Sequence, residues 1–338
     1  MKMNKELIEA LDKLSYFLSE ESDEINSWID SAKNTNTWFT QAEIKRALSA
    51  WSESLKREQV ENWVSAYDIK EVEPKKIGLV LAGNIPMVGF HDVLTVLLSG
   101  HIAYIKLSSQ DNVLIVKILE YLIKELPSVE KQIVYAERLN DVDAVIATGS
   151  NNTAQHFEQY FKSIPKIIRR NRNSIAVLNG EESFEDVQGL GFDIFSYYGQ
   201  GCRNVSKLYM PKEYDITKLL DQLQAYEYVI DHHKYFNNYN YYKSIYLVNR
   251  EEHLDTGYVM LRESKDLQAP LSVIYYERYD SIENLESSLN EIKDTIQCVV
   301  SNMNLNIESP IFKFGDSQCP ALNDYADGVD TMQFLINL

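Results

Sequence analysis

Hydrophobic positions follow two different rhythms along this chain. Over the first part they repeat at helical spacing, and Thr40 followed by Glu43 has the form of a capping box that opens a further helix. We therefore predict an N-terminal helical segment over residues 1–72. The apolar face of its first helix carries Leu7, Leu11, Leu14 and Leu18.

From residue 73 onward, short apolar runs alternate with helical patterns. The first run, residues 77–82, is bounded by Pro74 and Gly83, as is typical of a buried strand. Alternation of this kind predicts a parallel, doubly wound sheet over residues 73–190, whose ligands bind at the carboxyl ends of the strands. The other runs are residues 102–107, 132–135, 144–147 and 174–178, and the helical patterns are residues 113–125 and 153–161.

A second lobe is predicted over residues 191–310, followed by a C-terminal segment, residues 311–338, that closes the site or an interface. Residues 226–246 hold seven of the 22 tyrosines, which either pack a helix, the reading we favour, or line an apolar pocket for an acyl chain. The predicted strands of this lobe are residues 205–210, 246–248 and 271–276, and the helices are residues 217–228 and 282–292.

Composition and charge limit the function classes. With 45% hydrophobic and 25% charged residues the chain is typical of globular proteins, and 33 basic against 50 acidic residues give a net charge of −17. Such a field repels nucleic acids. We find no apolar signal core and no stretch of about 18 apolar residues, so we expect a cytoplasmic protein without a membrane span. The three cysteines are scattered, so neither a disulfide framework nor a metal site is expected.

Polar residues follow several of the predicted strands. Asn84 comes directly after the first strand, where an amide either holds the loop or donates to an oxyanion. Lys106 lies at the end of the next predicted strand, with Ser108 and Ser109 just after it, and can meet a phosphate or a ribose, although an exposed lysine is usually only solvated.

Two further turns carry candidate chemistry. Gly149 and Ser150 stand between a strand and a helix, where backbone N–H groups favour a pyrophosphate, although the G-x-G-x-x-G fingerprint is absent. Cys202 lies in a Gly-Gln-Gly-Cys turn, and Arg203 beside it favours the thiolate, so nucleophile and structural cysteine are equally good interpretations. For Cys298 and Cys319 a structural role is favoured.

In order, these segments resemble the aldehyde dehydrogenase superfamily, and more closely its acyl-CoA reductase branch, the family that includes the fatty-acid reductase of bacterial luminescence. The resemblance runs from about Lys75 to the C-terminus. The segments similar to family motifs are residues 84–86 (N-x-P), 97–101 (L-x-x-G-N), 106–109 (K-P-S-E), 146–150 (F-T-G-S), 199–202 (G-Q-x-C), 269–273 (G-P-V-x-x-V) and the C-terminal residues 324–331.

The resemblance implies a fold of two doubly wound parallel-sheet lobes, one for the cofactor and one for catalysis. It implies that Cys202 forms a covalent acyl intermediate and that Asn84 stabilises the oxyanion. His156 is a candidate base for Cys202, with a helix-surface histidine as the favoured alternative. The cofactor-binding residues it implies are Lys106, Ser108, Ser109, Gly149, Ser150 and Asp266.

Two departures from the family pattern indicate more specifically which reaction to expect. Residues 169–174 lack the glutamate that activates water in ordinary aldehyde dehydrogenases, which disfavours hydrolysis of a thioester. Ser109 replaces the glutamate that binds ribose, which favours NADP(H) over NAD(H). We therefore expect NADPH-dependent reduction of a fatty acyl-CoA, or of another carrier-bound acyl thioester, to the aldehyde.

Several alternatives stay open. The chain can instead reduce an acyl phosphate, oxidise an aldehyde, or be a non-catalytic or partner-dependent subunit that retains the fold. A homo-oligomer or an acyl-activating partner protein is compatible with the sequence. Basic residues that either meet substrate phosphates or offset nearby carboxylates are Arg169, Arg170, Arg172 and Arg203.

Overall fold

A computed structural model of the chain describes residues 2–70 and 73–338. The helices are α1 (Lys2–Ser19), α2 (Asp23–Thr35), α3 (Gln41–Ser54), α4 (Arg57–Ser65), α5 (Phe90–Leu98), α6 (Leu114–Glu125), α7 (Asn151–Tyr160), α8 (Phe184–Phe195), α9 (Ile216–Gln222), α10 (His233–Asn249), α11 (Ile282–Glu291) and α12 (Thr331–Ile336). The strands are β1 (Lys76–Val80), β2 (Ile102–Lys106), β3 (Ile133–Tyr135), β4 (Ala144–Thr148), β5 (Lys166–Arg169), β6 (Asn173–Val177), β7 (Val205–Pro211), β8 (Leu254–Asp255), β9 (Met260–Glu263), β10 (Val273–Tyr279), β11 (Ile296–Val300) and β12 (Ile311–Phe312).

The chain divides into two compact units. The first comprises Met1–Asn171 and Ala321–Leu338, and the second comprises Arg172–Pro320. The boundary predicted from the sequence lies after residue 190, about 20 residues further along the chain. The difference arises from strand pairing, because β6 hydrogen-bonds to β7 and β11 of the second unit. The predicted C-terminal segment 311–338 is likewise divided between the units.

The first unit is built on a parallel sheet in the order β3-β2-β1-β4-β5. In the register, Leu79 of β1 lies beside Ile105 of β2 on one side and Ile146 of β4 on the other, and all three side chains are buried. The chain moves from β1 to β2 in one direction and then crosses to β4 on the opposite side. This reversal places a ligand crevice at the carboxyl end of β1.

Helices α1 to α4 precede this sheet, as the sequence predicts. Thr40 caps α3, since its side chain accepts a hydrogen bond from the Glu43 N–H at 3.4 Å. The apolar face of α1 is buried in the same core as the strand residues Ile77 and Leu79. Burial of this face explains the helical periodicity, and its members Leu7, Leu11, Leu14 and Leu18 are each at most 7% exposed.

The C-terminal residues of the first unit are held by aromatic side chains of the N-terminal segment. Tyr325 accepts a hydrogen bond from the Trp63 indole N–H at 2.7 Å and shares one with the Tyr67 hydroxyl at 2.8 Å. Tyr67 also donates to Asp330 at 2.9 Å. Residues 321–338 are therefore an integral part of the first unit.

The second unit is built on a sheet in the order β12-β11-β6-β7-β10-β9-β8. Its neighbouring strands are parallel, except that β8 and β9 are antiparallel. The prediction of two α/β lobes, each built on a parallel sheet, is confirmed. The middle strand of this order, β7, begins directly after the loop that carries Cys202.

One predicted strand is wrong. Residues 246–248 lie in α10, where Tyr235, Tyr239 and Tyr246 recur at helical spacing and are at most 3% exposed. A short apolar run at the end of a helix is locally indistinguishable from a strand, and tertiary burial decides between them. The favoured reading of the tyrosines as packing residues holds for these three.

No helix among residues 2–70 and 73–338 is long and apolar enough to cross a membrane. In the same part of the chain, no group of three or more histidine, cysteine, aspartate or glutamate side chains is arranged to hold a metal ion.

Candidate functional site

Three loops meet the carboxyl edge of the first sheet beside β1. Asn84 lies in the loop after β1, Lys106 ends β2, and Gly149 follows β4. Because β2 and β4 flank β1, these loops surround the crevice expected where the strand order reverses. The sequence analysis therefore identified residues that the sheet brings to one edge.

The loop after β1 is packed tightly against the loop after β2. A Cβ atom on Gly83 would lie 2.5 Å from the Ser108 Oγ and 3.0 Å from the Asp111 backbone nitrogen, so only glycine fits there. Met87 has a left-handed φ of 61°, and its N–H donates to the Asp111 carboxylate at 2.6 Å. The partly buried Asn84 is thus carried on a loop with little freedom.

Asp111 was not singled out by the sequence analysis. It is 2% exposed, and burial raises its pKa to about 7, although the Met87 and Leu114 N–H groups favour the charged form. Its position just before α6 is a capping signal, but nothing local reveals that its carboxylate also holds the loop that contains Asn84.

The side chains after β2 differ in exposure. Lys106 and Ser109 are exposed, whereas Ser108 is partly buried and its Oγ accepts the Gln110 N–H at 3.2 Å. An exposed ammonium beside an exposed hydroxyl can meet an anionic or hydroxylated ligand, while Ser108 supports the shape of the loop.

Gly149 and Ser150 begin α7. The Ser150 Oγ accepts the Thr153 N–H at 3.3 Å, which makes Ser150 the N-cap, and a Cβ on Gly149 would lie 3.0 Å from the Thr153 side chain. The positive end of a ten-residue helix therefore faces the same sheet edge as Lys106. His156 is exposed on α7.

Cys202 lies in the second unit, in the loop between α8 and β7, and its side chain is exposed. Ser174 lies beside it and donates its hydroxyl to the Cys202 carbonyl oxygen at 2.9 Å. Ser174 also contacts the Cys298 Sγ at 3.0 Å. Burial raises the pKa of the Cys298 thiol to about 11, so this second cysteine is held neutral beneath the exposed one.

Asp266 is exposed on a segment that β7 fixes in place. Ser206 donates to the Leu267 carbonyl at 3.1 Å, and the Lys207 ammonium donates to the Lys265 carbonyl at 3.1 Å. The Lys207 side chain is fully buried, and its charge is paired with the Glu277 carboxylate at 2.8 Å. The strand that begins after Cys202 thereby also sets the position of Asp266, a role for Lys207 that the sequence did not reveal.

The four arginines suggested for substrate phosphates have different surroundings. Arg169, in the first unit, is 7% exposed and binds Asp92 at 2.5 Å and Thr331 at 3.0 Å. This internal ion pair favours, for Arg169, the second of the two alternatives, in which the arginine offsets a nearby carboxylate. Arg170 is exposed, and Arg172 and Arg203 are partly buried in the second unit.

Arg203 lies next to Cys202 in the chain, and its guanidinium is 5.2 Å from the centroid of the Phe312 ring. Its positive charge favours the thiolate form of the nearby Cys298, against the larger effect of burial. The same charge is available to any thiolate formed in this loop.

Solved structures of similar fold identify the structural class of the chain. The fold is that of the aldehyde dehydrogenases. A variant of aldehyde dehydrogenase from Bacillus cereus is 13% identical with a TM-score of 0.65, over 93% of this chain and 76% of that one. Aldehyde dehydrogenase 21 from Physcomitrella patens, in complex with the reaction product succinate, is 13% identical with a TM-score of 0.65, over 99% and 84% of the two chains. Aldehyde dehydrogenase C from Pseudomonas syringae, in complex with NAD+ and octanal, is 11% identical with a TM-score of 0.65, over 95% and 74%.

The family is narrower than the fold. The sequence model described as Acyl-CoA reductase (LuxC) matches residues 32–225, which is more than half of the chain. The chain belongs to this acyl-CoA reductase family, as its motifs indicate. No curated protein sequence matches it. Its chemistry is therefore that of an oxidoreductase acting on aldehyde or acyl groups.

Proposed function

We propose that this protein reduces a fatty acyl thioester, with acyl-CoA as the donor, to the aldehyde through an acyl intermediate on Cys202. The observation that carries the proposal is the exposed Cys202 thiol in a Gly-Gln-Gly-Cys turn, in a chain of the acyl-CoA reductase family. This function differs from aldehyde oxidation in the direction of hydride transfer, which here runs from the cofactor to the acyl group.

The proposed chemistry is covalent. The Cys202 thiolate attacks the acyl carbonyl, the tetrahedral oxyanion collapses, and the carrier leaves as a thiolate that takes up a proton. Bound NADPH supplies the hydride that reduces the acyl-cysteine thioester. The resulting thiohemiacetal on Cys202 breaks its C–S bond, which releases the aldehyde and regenerates the thiolate. Acyl-CoA, NADPH and one proton thus give aldehyde, CoA and NADP+.

Two donors are proposed for the oxyanion. These are the Asn84 side-chain amide, on its tightly packed loop, and the Cys202 backbone N–H. A fixed donor directed at developing charge contributes about 3 kcal/mol to the barrier. The rigid support of Asn84 by Asp111 and Gly83 favours this role, because a preorganised donor does not need to reorient during the reaction.

The residues around the sheet edge fit a dinucleotide. We propose that Gly149, Ser150 and the α7 N-terminus bind the pyrophosphate, and that Lys106, Ser108 and Ser109 bind the adenosine ribose. Asp266 would bind the nicotinamide ribose. The exposed Lys106 ammonium and the uncharged Ser109 suit a 2′-phosphate, which is why we propose NADPH. Arg170, Arg172 and Arg203 stay candidates for the phosphates of CoA.

In this proposal, hydrolysis of the acyl-cysteine intermediate is disfavoured. Residues 169–173 run from the end of β5 to the start of β6 and contain no carboxylate that can activate water. Activation of Cys202 is assigned to the charge of Arg203, with His156 as the alternative base.

The proposal is tested by following NADPH consumption with a long-chain acyl-CoA and with the matching acyl phosphate, and NADP+ reduction with the matching aldehyde. We expect turnover with acyl-CoA, and a loss of at least about 1,000-fold in kcat for Cys202→Ala, as when a catalytic nucleophile is removed. Cys319→Ala, a change at the other exposed cysteine, is the matched control and retains activity. Full activity of Cys202→Ala would refute the covalent route.

A further inference from the structure

The turn before Cys202 has an unusual backbone. Tyr197, Tyr198 and Gly199 all adopt left-handed conformations, with φ values of 52°, 57° and 77°. Both tyrosine side chains are buried. Non-glycine residues hold this conformation only where their surroundings fix it, so the turn depends on contacts with the rest of the second unit.

Asn204 supplies those contacts with its side chain. Its Oδ1 accepts the Gly201 N–H at 2.7 Å. Its Nδ2 donates to the carbonyl oxygens of Asp193 at 3.0 Å, Ile194 at 3.3 Å and Ser196 at 2.9 Å. With 4% of its surface exposed, this amide joins the end of α8 to the turn on both sides of the left-handed residues.

The backbone of Asn204 acts on the peptide group that contains the Cys202 nitrogen. The Asn204 N–H donates to the Gly201 carbonyl oxygen at 3.1 Å. No peptide bond among the described residues is cis, and in a trans peptide the C=O and N–H point in opposite directions. The Cys202 N–H is therefore directed away from Asn204.

The neighbouring peptide groups are held as well. Asn204 Oδ1 fixes the N–H of Gly201, and Ser174 fixes the carbonyl oxygen of Cys202. The peptide between them is flanked by a glycine, the residue with the widest backbone freedom, so its direction would drift without these bonds.

The anchor for Asn204 is itself rigid. The Asp193 side chain is fully buried and accepts three hydrogen bonds, from the Ser317 hydroxyl at 2.6 Å, the Ser317 N–H at 3.1 Å and the Gly315 N–H at 2.7 Å. The end of α8 that presents carbonyl oxygens to Asn204 is thereby tied to residues 315–317.

We infer that Asn204 is a positioning residue that aims the Cys202 backbone N–H at the oxyanion of the acyl group. The inference rests on the proposed function, since it gives the Cys202 N–H a reacting oxygen to bind. Asn204 itself contacts neither substrate nor cofactor in this role. It affects the reaction by fixing the orientation of the peptide group between Gly201 and Cys202.

The test compares Asn204→Ala and Asn204→Asp with the wild type. Asp keeps the size of the side chain and the acceptor for the Gly201 N–H, but it loses the donor to three carbonyl oxygens. Ser301→Ala is the control, because Ser301 is 3% exposed and holds the Val177 carbonyl in the same unit without touching the turn. The readouts are kcat and KM with acyl-CoA, and the rate at which iodoacetamide alkylates Cys202.

Alkylation separates the positioning role from a general loss of structure, because displacement of iodide by the thiolate forms no oxyanion. We expect Asn204→Ala to lower kcat by about 10- to 100-fold, part of the effect of losing one oxyanion donor. KM and the alkylation rate should stay within about threefold of the wild type. Asn204→Asp, which replaces the side-chain donor by an oxygen that repels the three carbonyl oxygens, should lower kcat at least as much as Asn204→Ala. Ser301→Ala should match the wild type.

Two results would overturn the inference. One is a kcat for the Asn204 variants within about threefold of the wild type. The other is alkylation that slows in proportion to kcat, which would mean that the variant disrupts the whole loop. If Asn204→Ala does not fold, the same comparison is made with Asn204→Asp. A wild-type protein that shows no turnover with acyl-CoA would instead refute the proposed function, and the inference with it.

Discussion

Ser109 is exposed in the loop after β2, three positions beyond Lys106. A carboxylate at this position would bind ribose hydroxyls and repel a 2′-phosphate, whereas a serine hydroxyl accepts either cofactor. In the proposed function, the preference for NADPH therefore depends on the absence of a carboxylate at this position.

We predict that Ser109→Glu lowers the preference for NADPH over NADH, measured as the ratio of kcat/KM values, by at least about tenfold, equivalent to about 1.4 kcal/mol. Ser109→Gln has the same size without the charge and serves as the control, with a smaller change in the ratio. An unchanged ratio in Ser109→Glu would show that this loop does not select the cofactor.

Single residues also show which candidates a sequence can point to. Cys202 and Asn84 were proposed because they lie next to strands in short local patterns that contain glycine or proline. Asp111, Asn204 and Lys207 were missed, because each acts on a backbone group that only the folded chain brings near, such as the Met87 N–H or the Lys265 carbonyl. The ion pair of Arg169 was not predicted for the same reason, since its partner Asp92 is 77 residues away.

At the scale of elements, the loop after β1 depends on a buried acid at the start of α6. Burial raises the Asp111 pKa to about 7, well above that of an unfolded aspartate. Between about pH 4 and pH 7 the folded state therefore holds the proton that the unfolded state releases. The free energy of unfolding falls as the pH rises through this window, with a slope of up to about 1.4 kcal/mol per pH unit.

We predict that Asp111→Asn removes this slope, because an amide cannot ionise. Relative to the wild type, the variant should gain stability steadily from pH 4 to pH 7, measured by urea unfolding at several pH values. Asp68→Asn, at an exposed position, is the control and should show a constant difference. A constant difference for Asp111→Asn as well would mean that Asp111 ionises alike in both states.

Elements differ in how well the sequence predicts them. Long periodic helices such as α1 and central strands such as β1 follow from local pattern, because burial on one or both faces imposes it. The end of α10 was mistaken for a strand, and β5 was not predicted, since a four-residue run contains too little periodicity to identify it.

At the scale of the molecule, a net charge of −17 disfavours binding of nucleic acid, whereas a small anionic substrate can still bind where cations lie close together. Exposed or partly buried cations at Lys106, Arg170, Arg172 and Arg203 provide local positive charge within an acidic protein. The two α/β units were predicted, and the structure divides them about 20 residues before the predicted boundary. Whether β6 pairs with one sheet or the other is decided by long-range contacts that no local pattern encodes.

The family and the fold together make the acyl-cysteine intermediate the feature on which the proposed reaction depends. Its formation requires only the thiol and the acyl donor, so it can be observed before any hydride transfer. Without NADPH the intermediate cannot be reduced to the aldehyde, and the absence of a carboxylate in residues 169–173 disfavours its hydrolysis. The acyl-enzyme should therefore accumulate.

The most direct measurement is mass spectrometry of the intact protein after exposure to a long-chain acyl-CoA in the absence of NADPH, followed by peptide mapping. We predict a mass increase of one acyl group on Cys202, present in Cys319→Ala, absent in Cys202→Ala, and lost when NADPH is added. A wild-type protein without an adduct, or an adduct of equal extent in Cys202→Ala, would contradict the covalent mechanism.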